Sequence, residues 1–265
     1  MIENPKSGRV RRAAALVRKK ERVAQGRFLV EGPQAVRELL AHRPELAEVV
    51  FATTGTEPWQ HEIDRLASDG GVELERVTGE VLAAMSETVT PQGVVAIARS
   101  WETPLAEALA DARLVAVMHE VRDPGNAGAV LRAADAAGAD AVVFAGESID
   151  PFHPKVVRST TGSLFHLPVA VARELADVTD AARAAGLTTL AADVRGTDLL
   201  AARSEGVLAG RVAWVFGNEA RGLSDAERAL TDRSLKLPIY GAAESLNLAT
   251  AASVLIYETA FAQRG

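Results

Sequence analysis

Three stretches in the C-terminal half of the chain gather side chains that could do chemistry. In the first, Asn126 lies between Gly125 and Gly128, and Arg132 follows six residues later. The second is Gly217-Asn218-Glu219-Ala220-Arg221-Gly222-Leu223. The third runs from Leu237-Pro238-Ile239-Tyr240-Gly241 to Ser245-Leu246-Asn247. Glycines let a ligand approach the backbone closely. None of the three is a GxGxxG dinucleotide fingerprint or a GxxxxGK[ST] phosphate loop, which argues against a nicotinamide-dependent enzyme. The chain has no cysteine, so a cysteine nucleophile, thiolate metal sites and disulfides are excluded. Its five histidines show no metal-ligand spacing, and no metal is expected. Taken singly, each stretch also has a plainer reading. Asn126 could cap a helix with Arg132 on its surface, the glycines of 217–222 could merely turn the chain, and Ser245 or Asn247 could cap the last helix.

The elements around these stretches place them together. Residues 114–121, 140–146, 187–193 and 211–216 are apolar runs that predict buried strands, with a short strand at 235–240. Helices are expected over 129–138, 153–159, 174–186 and 245–264. Strands alternating with helices predict an α/β fold with a mostly parallel sheet covered on both faces. Ligands of such sheets bind beyond the carboxyl ends of the strands. That puts the loops at 122–128, 193–197, 217–223 and 239–245 on one rim.

The N-terminal part repeats the rhythm on a smaller scale. Strands are expected at 27–30, 47–53, 72–77 and 92–99, with helices over 9–24, from Pro33 to about Leu40, at 57–68 and after Thr78. Residues 99–112 read as a link, so the expected domains are 1–104 and 105–265. At 265 residues the chain suits two modest domains. No apolar stretch reaches the roughly 20 residues of a membrane span, and Met1–Arg12 lacks an apolar signal core. A cytoplasmic protein is expected.

The net charge of −6 conceals an asymmetry. Residues 1–27 hold nine Lys or Arg against two acids, a local +7 on a remainder of −13. Such a segment either contacts a polyanion or forms a solvated helix face.

In order and spacing, Asn126-Ala-Gly-Ala-Val-Leu-Arg132, GNEARGLS (217–224) and LPIYGAAESLNLATAASVLIYE (237–258) resemble the motifs of the SpoU/TrmH family of RNA 2'-O-ribose methyltransferases, in the SPOUT superfamily. STTGSLFHLPV (159–169) is similar to the segment between the family's first two motifs. The resemblance covers residues 114–264, and residues 19–40 resemble the RNA-binding domain often fused ahead of the catalytic one. Ala220 stands where many members have Gly, and Leu237 where many have Ile. The resemblance implies a deep C-terminal trefoil knot and S-adenosyl-L-methionine as methyl donor. The donor would be held largely by backbone at Gly217, Leu237 and Leu246, with Leu190, Ala191 and Ile239 beside them. It implies Arg132 as the catalytic arginine, with Asn126, Glu219, Ser245 and Asn247 on the substrate side. A guanidinium is too basic to serve as a general base. The role expected of Arg132 is to bind the neighbouring phosphate and stabilise a developing alkoxide. Arg9, Arg11, Arg12, Arg18, Lys19, Lys20 and Arg22 would bind RNA phosphates. A homodimer with the site near the subunit interface is implied, and the C-terminal helix could serve core or dimer. The expected substrate is 23S ribosomal RNA, with tRNA or a catalytically silent RNA-binding role as alternatives.

Overall fold

The computed structural model describes residues 1–265. They form two compact units, Met1–Trp101 with Asp150–His166, and Glu102–Ile149 with Leu167–Gly265. The division does not follow chain order, because residues 150–166 leave the second unit and return to it.

The first unit begins with α1 (Gly8–Ala15) and α2 (Lys19–Gln25), not the single helix expected over 9–24. Arg22 explains the break. Its guanidinium donates to the Leu16 and Val17 carbonyls, at 3.0 and 2.7 Å, and so caps the chain just beyond the end of α1. It also pairs with Asp150 at 2.6 Å and is only 3% exposed. Arg22 is therefore a buried structural residue and not the surface phosphate contact expected from its charge. Removing one partner of a buried pair leaves the other charge uncompensated, at a cost of about 3–5 kcal/mol. Arg22→Ala is expected to lower stability by that order in a urea melt, well beyond the effect of Arg11→Ala on the exposed helix face.

Four strands follow: β1 (Arg27–Glu31), β2 (Ala47–Thr53), β3 (Glu73–Val77) and β4 (Val94–Arg99). Between them lie α3 (Pro33–His42), α4 (Pro58–Asp69) and α5 (Gly79–Met85). The sheet order is β1-β4-β2-β3, with β4 antiparallel to both neighbours and β2 parallel to β3. One face buries Leu29, Val49, Phe51 and Val95 against Val10, Ala13 and Leu16 of the N-terminal segment. Phe28 and Trp101 pack on Phe152, at 4.8 and 5.1 Å between ring centroids, which seats the 150–166 excursion.

The second unit opens with a short helix, α6 (Leu105–Leu109), where sequence order suggested only a link. Then come β5 (Leu114–His119), α7 (Pro124–Ala136) and β6 (Ala141–Ala145). The excursion contributes α8 (Pro154–Ser159) to the first unit. The chain continues through β7 (Val169–Ala172), α9 (Leu175–Ala184), β8 (Thr188–Asp198), α10 (Leu199–Ser204) and β9 (Val212–Phe216). It ends with α11 (Asp225–Ala229), β10 (Arg233–Lys236) and α12 (Leu248–Arg264). The sheet order is β10-β8-β9-β5-β6-β7, and every pairing is parallel.

Every residue of β5, β6 and β9 is buried. Their unbroken apolar runs follow from a sheet covered on both faces. β5 is the switch point: the chain first adds β6 and β7 on one side, then crosses to build β8, β9 and β10 on the other. Adjacent strands whose continuations depart in opposite directions leave a crevice at their carboxyl ends. Here that crevice lies between the loops after β5 and after β9.

Candidate active site

The loop after β5 enters α7 at Pro124, five residues before the start expected at 129. Asp123 is the cap, accepting from the Asn126 amide at 2.7 Å, with Pro124 in the first helical position. That frees the Asn126 side chain. Its Nδ2 donates to Glu219 Oε1 at 3.4 Å, and its Oδ1 accepts from Asn247 Nδ2 at 3.0 Å. Glu219 also accepts from the backbone amides of Arg122, at 3.2 Å, and Asp123, at 2.9 Å. Asn247 caps α12 with its Oδ1, which accepts from Ala249 at 2.9 Å and Thr250 at 3.3 Å. Asn126, Glu219 and Asn247 thus form one bonded chain across the three loops. The capping alternative was right for Asn247, yet the cap and the cross-loop bond use different atoms of one amide.

The loop after β9 is folded on itself. Asn218 Oδ1 accepts from Ala220 at 3.0 Å, and the Gly222 amide returns to the Asn218 carbonyl at 2.8 Å. A Cβ on Gly217 would lie 2.6 Å from the Gly222 backbone carbon. Glycine there is required by the loop's own closure. Asn218 Nδ2 donates to the Glu120 carbonyl at 2.8 Å, tying the β9 loop to the end of β5. Glu120 adopts φ +53, an unfavourable backbone for a non-glycine residue at this junction.

A cavity of about 660 Å³ opens beside these loops, within the range of about 300–1,000 Å³ typical of small-molecule sites. Gly217, Glu219, Leu237, Ile239, Ser245 and Leu246 line it. Leu190 and Ala191 do not. Both are fully buried inside β8, and the next residues, Ala192 to Arg195, reach the cavity wall instead. Asn126 and Asn247 stand beside the cavity: Asn126 bonds its lining residue Glu219 directly, and Asn247 is joined to it through Asn126. Arg132 is not brought to this set. It is the ninth residue of α7, exposed, with no ion pair. About 9 Å of rise and about 240° of rotation separate it from Asn126 along the helix.

Several site residues had no role assigned from sequence. Arg221 pairs with Glu227 at 2.8 Å and Glu120 at 2.9 Å, and both carboxylates hold its pKa above the ordinary value. Glu227 also accepts from buried His119, at 2.8 Å, and from the Ser224 amide, at 2.6 Å. Arg221 above all, with these donors, holds the Glu227 carboxyl far below the usual carboxylate range against the opposing effect of burial. A lowered folded-state value stabilises the fold above the ordinary carboxylate pKa, and that contribution is lost as pH falls through the lowered value. Glu227→Gln is therefore expected to flatten the acid limb of the stability–pH curve, with thermal melts between pH 7 and pH 3 as the readout. On the opposite wall Arg195 bonds Asp193 at 2.8 Å and Asp225 at 2.9 Å, and its hydrogen bonds lower the Asp193 pKa. The Asp193-x-Arg195 spacing at the end of a predicted strand was the available signal.

Of the basic residues proposed for RNA, Arg11, Arg12, Arg18, Lys19 and Lys20 are exposed. Arg9 instead pairs with Glu73 and Glu75.

Comparison with known proteins decides the lineage. Residues 113–257 match the SpoU rRNA Methylase family, and residues 7–96 match the MRM3-like substrate binding domain. The chain belongs to the SpoU rRNA methylase family. This SpoU-family chain is 37% identical over 260 residues to the Bacillus subtilis 23S rRNA (guanosine(2553)-2'-O)-methyltransferase RlmP, covering 97% of each chain. It is 31% identical to a 23S rRNA (uridine(2479)-2'-O)-methyltransferase of Streptomyces viridochromogenes, covering 92% of this chain and 86% of the relative. Among solved structures, the AdoMet-bound rRNA methyltransferase of Sinorhizobium meliloti superposes on the SpoU-family fold with a TM-score of 0.84, at 29% identity, over 97% of this chain and 96% of that one. The S. viridochromogenes SpoU methyltransferase AviRb in complex with AdoMet gives 0.82, at 29% identity, over 96% and 98%.

Proposed function

We propose that this chain transfers a methyl group from S-adenosyl-L-methionine to a ribose 2'-oxygen of 23S ribosomal RNA. The observation that carries the reading is the bonded chain Glu219–Asn126–Asn247 beside the cavity at the switch point. Full-length relatives named as 23S rRNA enzymes favour that RNA over tRNA. An intact polar network argues against a silent RNA-binding protein.

The cavity fits the donor by its chemistry. Its wall mixes glycine and aliphatic residues with loop backbone, which suits adenine held by main-chain hydrogen bonds and apolar packing. Gly217, Leu237, Ile239 and Leu246 would make those contacts, with Ala192 to Val194 replacing Leu190 and Ala191. When bound, the donor supplies an electrophilic methyl on a sulfonium. Transfer would form a C–O bond at the 2'-oxygen in place of the donor's C–S bond, with the hydroxyl proton released to solvent. Asn126, Glu219, Ser245 and Asn247 would orient the ribose for in-line attack. Arg132 would bind the adjacent phosphate and stabilise charge growing on the 2'-oxygen. The transfer as proposed uses no metal.

Arg132 lies outside the cavity of its own chain, which fits a site completed by a second copy. α12 offers a surface for that contact. Leu255, Ile256 and Ala260 are buried in the core, while Val254 and Phe261 are 38% and 57% exposed. Helix α12 thus serves the core, and in the homodimer it would serve the interface too. The trefoil knot belongs to this proposal, formed by the chain beyond β10. So do a cytoplasmic location and an RNA contact through Arg11, Arg12, Arg18, Lys19 and Lys20. No helix is long and apolar enough to cross a membrane.

The test is methyl incorporation. Purified protein with S-adenosylmethionine carrying a labelled methyl should label 23S RNA from a strain lacking the gene, and should not label RNA already modified by it. Absence of label in both would remove the enzyme reading.

A further inference from the structure

We propose that Glu38, His42 and His166 of the first unit form a binding site for a zinc-class divalent cation. The site is independent of the methyl-transfer reading. Sequence spacing gave no hint of it, because His42 and His166 are far apart in the chain, and only the 150–166 excursion brings them together.

Glu38 and His42 lie one turn apart on α3. His166 ends the short 3₁₀ turn Ser163–Phe165. Glu38 Oε2 lies 3.3 Å from His42 Nε2 and 3.2 Å from His166 Nε2. One ligand atom from each residue falls within 4.8 Å of the others, and the two imidazole centroids are 4.4 Å apart. Nitrogen and oxygen ligands sit about 2.0–2.2 Å from a tetrahedral zinc, which sets them roughly 3.3–3.5 Å from each other. The two contacts to Glu38 already have nearly that edge length. Two imidazoles and a carboxylate leave a fourth position for water. Imidazole ligands select zinc, nickel or copper over magnesium and calcium.

The surroundings hold the carboxylate in place. Its other oxygen accepts from Gln34 at 2.8 Å and Arg37 at 2.6 Å, so Oε2 alone faces both imidazoles. Burial opposes ionisation, yet the Arg37 and His166 contacts hold the Glu38 pKa below its ordinary value. Gly162, at φ +104, admits the Glu38 arm, since a Cβ there would lie 2.2 Å from Glu38 Cγ. The other histidine–carboxylate group, His119 with Glu120 and Glu227, already has a cation between its carboxylates in Arg221. A metal at Glu38 would clip the excursion to α3 and stabilise the first unit by mass action.

The experiment uses the untagged full-length chain, stripped with chelator and titrated with Zn²⁺ and with Co²⁺. Expected are one equivalent of Zn²⁺ bound at micromolar affinity, visible Co²⁺ absorption of tetrahedral type, and a raised Tm. Mg²⁺ should do none of these. His42→Ala should weaken Zn²⁺ binding by about tenfold or more. Half-exposed His42 can be lost without unfolding the chain, so the metal-free Tm of the variant should match that of the parent. His166→Ala should weaken binding likewise, and exposed His61→Ala should leave it unchanged. Affinity should fall from pH 7.5 to pH 5.5 as protons compete for the imidazoles. Failure of the parent chain to bind Zn²⁺ below millimolar concentration, or His42→Ala binding as the parent does, overturns the proposal.

Discussion

Arg132→Ala is expected to lower kcat by about 10²–10³-fold, the cost of removing one preorganised donor from a developing oxyanion. S-adenosylmethionine affinity should be unchanged, because Arg132 lies outside the cavity. Stability should be unchanged too, since the side chain is exposed and pairs with no carboxylate. Arg132→Lys should recover only part of the rate. An ammonium keeps the charge but not the planar fork that grips a phosphate with two parallel bonds. If the arginine completes the site of a second copy, mixing Arg132→Ala with a Glu219→Ala chain should restore activity that neither has alone. Single-turnover kinetics on each variant separates the chemical step from binding. A normal rate for Arg132→Ala would end its proposed role.

Glu219→Ala is the second large effect. This carboxylate joins the loop after β5 to the loop after β9 by accepting from two backbone amides and from Asn126. Its loss removes one of the two side-chain bonds of Asn126 and releases the Arg122 and Asp123 amides just before α7. A misplacement of about 1 Å at a reacting centre can cost about 10²-fold in rate, and that is the scale expected here. The cost to global stability should be small, because the released amides lie at an exposed rim and can turn to water. Glu219→Gln should recover part of the activity. One carboxylate oxygen, Oε1, takes the Asp123 and Asn126 bonds, and an amide oxygen can replace it. Hydrogen exchange at the Arg122 and Asp123 amides reports the same event directly, with faster exchange in Glu219→Ala than in Glu219→Gln.

Local pattern revealed much of the fold. The apolar runs at 114–121, 140–146 and 211–216 predicted buried strands, and β5, β6 and β9 form there with every residue buried. Asn126, Glu219 and Asn247 were legible as polar side chains in those loops. Their mutual bonds were not, because they depend on which nearby residue takes each cap. Asp123, not Asn126, satisfies the start of α7, and that choice frees the asparagine. Leu190 and Ala191 fall just short of the cavity, because β8 runs on past them to Asp198 and the cavity wall begins at Ala192. The four-residue strand β7 was too short to show a period. Arg22 counted as positive charge in the sequence and became a buried cap in the fold. Charge counting cannot see that, since its carboxylate partner Asp150 is distant in the chain and the carbonyls it caps are freed only by the break after α1. The excursion at 150–166 was invisible for the same reason, and the histidine pair with it.

The central claim is methylation of a ribose oxygen in large-subunit RNA. A 2'-O-methyl group removes the nucleophile that alkali uses to cleave the following phosphodiester. The decisive measurement is alkaline hydrolysis of 23S RNA labelled by the purified protein, with separation of the products. The label is expected in a single alkali-resistant dinucleotide, absent from the Arg132→Ala reaction. Label recovered in ordinary mononucleotides would mean base methylation and would contradict the account.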